Sequence, residues 1–141
     1  MIEGLLHDLK KNYLKSLAKI IHGDVFEDYL EMAEHLLNEG YKDPAAVITG
    51  STLEEHLRQL CLNNGIDIDV QTGTGQRPKR AGQINSELAK NEVYSILDQK
   101  SIIAWLDLRN KTAHGKYHEY SPKKVELMVM GIRDFINRNP A

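Results

Sequence analysis

Arg109 and His114 stand five positions apart, separated by Asn110, Lys111, Thr112 and Ala113 and followed at once by Gly115. A guanidinium grips a phosphate through paired N–H donors, and an imidazole takes up or releases a proton near neutral pH. Together they are the minimum equipment for cleaving a phosphodiester without a metal ion. Asn110 is a polar residue directly after the arginine. The competing reading is structural: Arg109 pairs with Asp107 or with an acid on a neighbouring helix, and His114 closes its own helix beside Gly115. Glu54 or Glu55 is the candidate to support Arg109 from across a bundle. On an ideal helix, at about 100° per residue, Arg109 and His114 point about 140° apart and share no face.

Basic residues gather around this pair. Arg109, Lys111, Lys116, Lys123 and Lys124 face a single acid, Glu119, over the same stretch. A polyanion such as RNA is drawn to such a cluster, so Lys111, Lys116, Lys123 and Lys124 are candidate contacts to it, with Arg77, Lys79 and Arg80 as a second basic group; the alternatives are a solvated charged face and, for the second group, a plain linker. Lys123 and Lys124 also fall in the first turn of a helix that starts at Ser121-Pro122, where positive charge opposes the dipole and a docked phosphate would relieve it. Other polar residues carry weaker signals. His114 and His118 are four apart with only Glu119 to complete a metal set, and Gly115 interrupts their helix, so neither a metal nor another cofactor is expected. His56 reads as a helix-surface or satisfied interface residue. Thr72-Gly-Thr-Gly75 lacks the glycine spacing and the Gly-Lys-Ser/Thr ending of a phosphate-binding loop.

The elements that must position these groups read as helical almost throughout. Ile2, Leu6, Leu9, Tyr13, Leu17 and Ile20 recur at three and four, predicting an amphipathic helix to Ile21 that ends at Gly23. Asp24-Val-Phe-Glu27 has the form of a capping box, which predicts a second helix from Val25 to Asn38 stopping at Gly40. Asp43-Pro44 predicts the cap and first turn of a third helix running to about Leu62. Within it Gly50 should cost about 1 kcal/mol relative to alanine, which implies close approach of a neighbouring helix on the strip Ala45, Ala46, Gly50. Asn63 to Gly82 is a glycine-containing break. Ile66 to Val70 alternates like a strand, but a strand with no sheet to join is not expected to persist, so the segment reads as a loop. A fourth helix is predicted over Ile84 to about Val93, and a fifth from Ser95 or Asp98 to His114 with Ile102, Ile103, Trp105, Leu106 and Leu108 apolar. The last starts at Ser121-Pro122 and buries Val125, Met128, Ile132, Phe135 and Ile136.

Two of these stretches share a further resemblance. Ser101-Ile-Ile-Ala-Trp-Leu-Asp-Leu-Arg109-Asn-Lys-Thr-Ala-His114-Gly115 resembles the signature helix of HEPN (higher eukaryotes and prokaryotes nucleotide-binding) domains. Pro44 to Arg58 resembles the small-residue, glycine-containing helix of several HEPN subfamilies. The resemblance implies an all-α, up-and-down bundle of five or six helices in a single domain over residues 1–141, and a homodimer in which the two Arg-x4-His motifs meet at the interface. It implies a metal-independent endoribonuclease leaving 2',3'-cyclic phosphate ends, of the kind found in toxins and antiphage effectors, with an antitoxin or regulatory protein as partner. Arg109 would hold the scissile phosphate, His114 would serve as general base or acid, and Asn110 would orient the histidine or the substrate. Other HEPN modules are non-catalytic and bind nucleotide, RNA or a protein partner, which is the alternative function. One subfamily carries a tyrosine two residues after the histidine; here that position is Lys116, and Tyr117 follows.

Composition sets the remaining bounds. The 141 residues suit one domain with its own core. The single cysteine, Cys61, excludes an intrachain disulfide, and with no signal-like segment the expectation is a cytoplasmic protein. Lys10, Lys11, Lys15 and Lys19 interrupt the first apolar stripe, and no run is long enough to span a membrane. The net charge of -2 conceals -7 over residues 1–70 and +5 over residues 71–141, so the candidate site lies in the basic half.

Overall fold

The computed structural model describes residues 2–141. Among the described residues there are five α-helices: α1 (Ile2–Asn38), α2 (Lys42–Asn63), α3 (Ala81–Lys90), α4 (Ile96–Ala113) and α5 (Pro122–Arg138). A hairpin of β1 (Asp69–Thr72) and β2 (Gly75–Pro78) separates α2 from α3, and one 3-10 turn (Tyr117–Glu119) separates α4 from α5. α2 is the central helix, packing against each of the other four. Its buried side chains, among them Leu53, Leu57 and Leu60, meet Leu30 of α1, Ile102 of α4 and Ile132 of α5 in one core.

Two expected helices are one. α1 runs unbroken through Gly23 and Asp24, so Asp24 caps nothing. A single glycine costs a helix only about 1 kcal/mol, and the apolar row Leu17, Ile21, Val25, Tyr29 continues across it at i, i+4. The consequence reaches the first expected stripe: every residue from Ile2 to Ile21 is exposed, with Leu17 40% and Ile2 76% accessible, so that stripe is left largely uncovered by the described residues.

Asp43 is also not a cap. α2 begins at Lys42, Tyr41 stands at the cap position with no side-chain hydrogen bond, and the Asp43 carboxylate is taken by Tyr120. Ser121 does cap α5, its hydroxyl accepting from the Lys124 N–H at 3.2 Å, and the five residues expected to face inward on α5 are all buried. On α4, Ile102, Leu106 and Leu108 are buried while Ile103 stays exposed.

The strand near Val70 finds its partner in the next residues. β1 and β2 pair antiparallel, with Val70 opposite Arg77 and Thr72 opposite Gly75 across a turn at Gly73-Thr74. A two-stranded ribbon is marginal alone, and here it is anchored at its base, where Ile66 and Ile68 pack on the core and the Lys79 N–H donates to the Ile68 carbonyl at 2.9 Å.

His56 lies fully inside the core between Phe26 and Phe135. Its Nε2–H donates to the Asn139 carbonyl at 2.7 Å, which fixes Nδ1 as the acceptor for the His22 Nε2–H at 3.3 Å. Burial pushes this imidazole down to about 4, against the raising effect of the Asn139 carbonyl. The unfolded chain therefore binds the proton first as pH falls. The contribution is complete above about pH 6.5, is lost progressively between there and about pH 4, and amounts to on the order of 3 kcal/mol. Urea unfolding of the wild type and of His56→Gln across pH 7 to 4 should show the wild type losing more stability in that window; parallel curves would contradict it.

Candidate functional site

Arg109 leaves α4 on the side that faces α2 and lies flat across Gly50. A β-carbon at position 50 would collide with the Arg109 Cγ and come within 2.9 Å of its Cβ, so only glycine lets the two helices approach this closely. The compensation expected for Gly50 is thus real, and the group occupying the space is the arginine of the candidate motif.

Beyond Gly50 the guanidinium meets Glu54, the acid one turn further along α2, in an ion pair through Nη1. Its Nε–H donates to the Asn110 Oδ1 at 3.3 Å. The same Glu54 carboxylate accepts from Arg58 Nη2 at 2.9 Å, and Arg58 also donates to the Lys79 carbonyl at 2.8 Å. Burial alone would resist ionisation of Glu54, but the hydrogen bonds and charges of Arg109 and Arg58 prevail and hold its carboxyl below the ordinary range. Two guanidiniums thus share one carboxylate, leaving the cluster with a surplus positive charge and Arg109 Nη2 without a protein partner among the described residues.

His114 occupies a different place. It is the C-cap of α4 and is exposed, and its side chain makes no hydrogen bond among the described residues. The helix ends by a two-bond closure in which the Lys116 N–H donates to the Lys111 carbonyl at 2.8 Å and the Gly115 N–H to the Thr112 carbonyl at 3.1 Å. Gly115 takes φ +71° to make that turn, a conformation glycine adopts at little cost. Among the described residues no hydrogen bond or ion pair links His114 to Arg109. Arg109, Asn110 and Glu54 are brought together, and His114 is held apart from them.

A second network, not legible in the sequence, fixes the segment around His114. Thr112 donates to the Tyr120 hydroxyl at 2.9 Å, Tyr120 donates to Asp43, and Lys42 donates to Asp43 at 3.1 Å and to the Tyr117 carbonyl. The Lys42 ammonium also sits 4.0 Å from the centre of the Tyr120 ring. Burial, together with the Asp43 carboxylate, pushes the Tyr120 phenol up to about 12, so it remains a donor. The start of α2 thereby grips the chain on both sides of His114. Asp43-Pro44 carries the appearance of a helix cap, which hides this partnership in the sequence.

The basic residues separate into bound and exposed sets. Lys79 is buried and pairs with Glu87 at 2.8 Å, so its ammonium is not presented to solvent as the sequence suggested. Lys111 pairs with Asp107 at 3.2 Å. Lys116, Lys124, Arg77 and Arg80 are exposed, as is Lys123 beside Glu126. Among the described residues no three His, Cys, Asp or Glu side chains converge to hold a metal, and no helix is long and apolar enough to cross a membrane.

Neither a family model nor a curated protein matches this chain.

The Gly50 contact makes a paired prediction. Gly50→Ala should lower stability by about 1–2 kcal/mol in urea, because overpacking against Arg109 exceeds the gain in helix propensity. Gly23→Ala, where nothing lies within 4 Å, should raise it by about 0.5–1 kcal/mol. Equal gains at both positions would show that the α2–α4 approach is loose.

Proposed function

We propose that this chain is a metal-independent endoribonuclease of the HEPN type, with Arg109 and His114 forming a composite site across a homodimer. The reading is carried by one observation: Arg109 is held over Gly50 with surplus charge, while His114 is an exposed imidazole on a hydrogen-bonded helix end, apart from that cluster. A catalytic base must be accessible, and a phosphate clamp must be rigid. Because the two groups diverge on one chain, a site built from two copies lets an arginine and a histidine reach one phosphate.

In that site the ribose 2'-hydroxyl attacks the adjacent phosphorus while one imidazole removes its proton. The bond from phosphorus to the 5'-oxygen breaks, and an imidazolium protonates the departing oxygen. The products are a 2',3'-cyclic phosphate and a 5'-hydroxyl. Arg109 offsets the charge that accumulates on the non-bridging oxygens, with Asn110 and Glu54 holding its Nε and Nη1 edges. Lys116, Lys123 and Lys124 supply the salt-dependent grip on flanking phosphates.

Purified protein with end-labelled RNA in EDTA should yield fragments with cyclic phosphate ends. His114→Ala and Arg109→Ala should each lower the rate by about 10² or more while leaving helical circular dichroism unchanged. Full activity of a species that sediments as a monomer would overturn the composite site. RNA or nucleotide binding without any cleavage would instead identify a non-catalytic binding module.

A further inference from the structure

Two glycines let neighbouring helices approach α4, and each receives one of its side chains. Gly50 of α2 takes Arg109, and Gly131 of α5 takes Trp105, one turn earlier on α4. A β-carbon at position 131 would collide with the indole Cζ2 and come within 3.1 Å of Cε2 and 3.2 Å of Cη2, so the α4–α5 approach holds the ring in place. The ring is nevertheless only half-buried.

Trp105 lines an open cavity of about 300 Å³ between α4 and α5. Leu108 and Met128, both buried, give it an apolar base, and Leu127 stands exposed beside them. Tyr120, itself held by Thr112 and Asp43, is a further wall. Four charged groups complete the lining. Lys111 and Asp107 pair with each other at 3.2 Å, while Lys124 and Glu119 are exposed and have no ion-pair partner among the described residues.

Size and lining together select the ligand. A cavity of this volume lies at the small end of ligand pockets, with room for one ring system and not for a peptide helix. A purely apolar ligand makes no use of four charges, and free phosphate makes none of an indole or of two carboxylates. A nucleotide uses all of them: its base has apolar faces that pack on aromatic rings and an edge of donors and acceptors, and its phosphate answers to lysine. Guanine alone among the four RNA bases sets two donors side by side, N1–H and the N2 amino group, matching the two oxygens of one carboxylate. On adenine and cytosine the amino donor stands next to an acceptor nitrogen, and on uracil the lone N3–H lies between two carbonyls.

We propose that this cavity is a guanine-base subsite, in which the base packs against Trp105, Glu119 accepts from its N1–H and N2 amino group, and Lys124 meets the attached phosphate. Lys111 on one side and Glu119-Tyr120 on the other flank His114 in the chain, so a base seated here brings its phosphodiester to the helix end that carries the imidazole. Affinity for a guanine nucleotide stands on the cavity alone; the choice of which RNA bond is cut rests on the ribonuclease reading.

Trp105 is the sole tryptophan, so its fluorescence, excited at the red edge where nucleotides do not absorb, reports on the cavity directly. In EDTA and low salt, guanosine 5'-monophosphate should quench it saturably and more strongly than the adenosine, cytidine or uridine monophosphate, while ribose 5-phosphate leaves it unchanged. Glu119→Gln, at an exposed position, should abolish the preference for guanine. Trp105→Leu should weaken guanosine 5'-monophosphate binding about tenfold in equilibrium dialysis. Absence of saturable quenching by any nucleotide would overturn the subsite. Equal quenching by all four, or a preference that survives Glu119→Gln, would overturn the guanine assignment. Quenching in a protein that never cuts RNA would support the subsite and count against the ribonuclease; RNA cleavage without quenching would do the reverse.

Discussion

The approach of α4 to α2 at Gly50 is the contact on which the candidate site depends. A glycine in the middle of a helix gives up propensity, and here the space it leaves is filled by the aliphatic part of Arg109. That packing aims the guanidinium along α2 toward Glu54, so that a steric fit sets up an electrostatic one. Glu54 then binds a second cation, Arg58, which reaches on to the Lys79 carbonyl at the foot of the hairpin. A chain of contacts from α4 through α2 to the β1–β2 ribbon thus rests on the absence of one methyl group.

The same helix pair is tied together a second time at the far end of α4. The Asp43–Tyr120–Thr112 hydrogen bonds and the Lys42 contact with the Tyr117 carbonyl link the start of α2 to the residues on either side of His114. Charge-assisted hydrogen bonds of this kind, partly shielded from water, resist fraying better than exposed pairs. The imidazole is consequently carried on a rigid support while remaining open to solvent. α4 holds a guanidinium in place by burying one flank and leaves an imidazole open to solvent by ending at Gly115.

α1 couples two kinds of surface in one continuous helix. Its later half contributes Phe26, Leu30 and Ala33 to the core, and its earlier half leaves an equally apolar stripe in water. Continuity matters because a helix with no break at Gly23 holds the stripe at a fixed angle to the body. A flexible joint there would let the stripe fold back on its own chain.

The sequence by itself determined the local order: the 3–4 spacing of apolar residues marks the helices, Ser121-Pro122 marks the start of α5, Gly115 marks the end of α4, and Gly50 marks a close approach. It also carried the Arg109, Asn110 and His114 motif, because residue types and spacing are properties of the chain. Tertiary structure alone decided which side of each element is covered. Periodicity reveals that the Ile2 to Ile20 stripe is apolar but not whether anything packs on it, and a capping box at Asp24 is indistinguishable in sequence from an acidic turn inside a longer helix. The contacts of Glu54 with Arg109, Lys79 with Glu87, Asp43 with Tyr120 and His56 with Asn139 span 8 to 83 positions, and pairing at those separations depends on helix packing that no local pattern encodes.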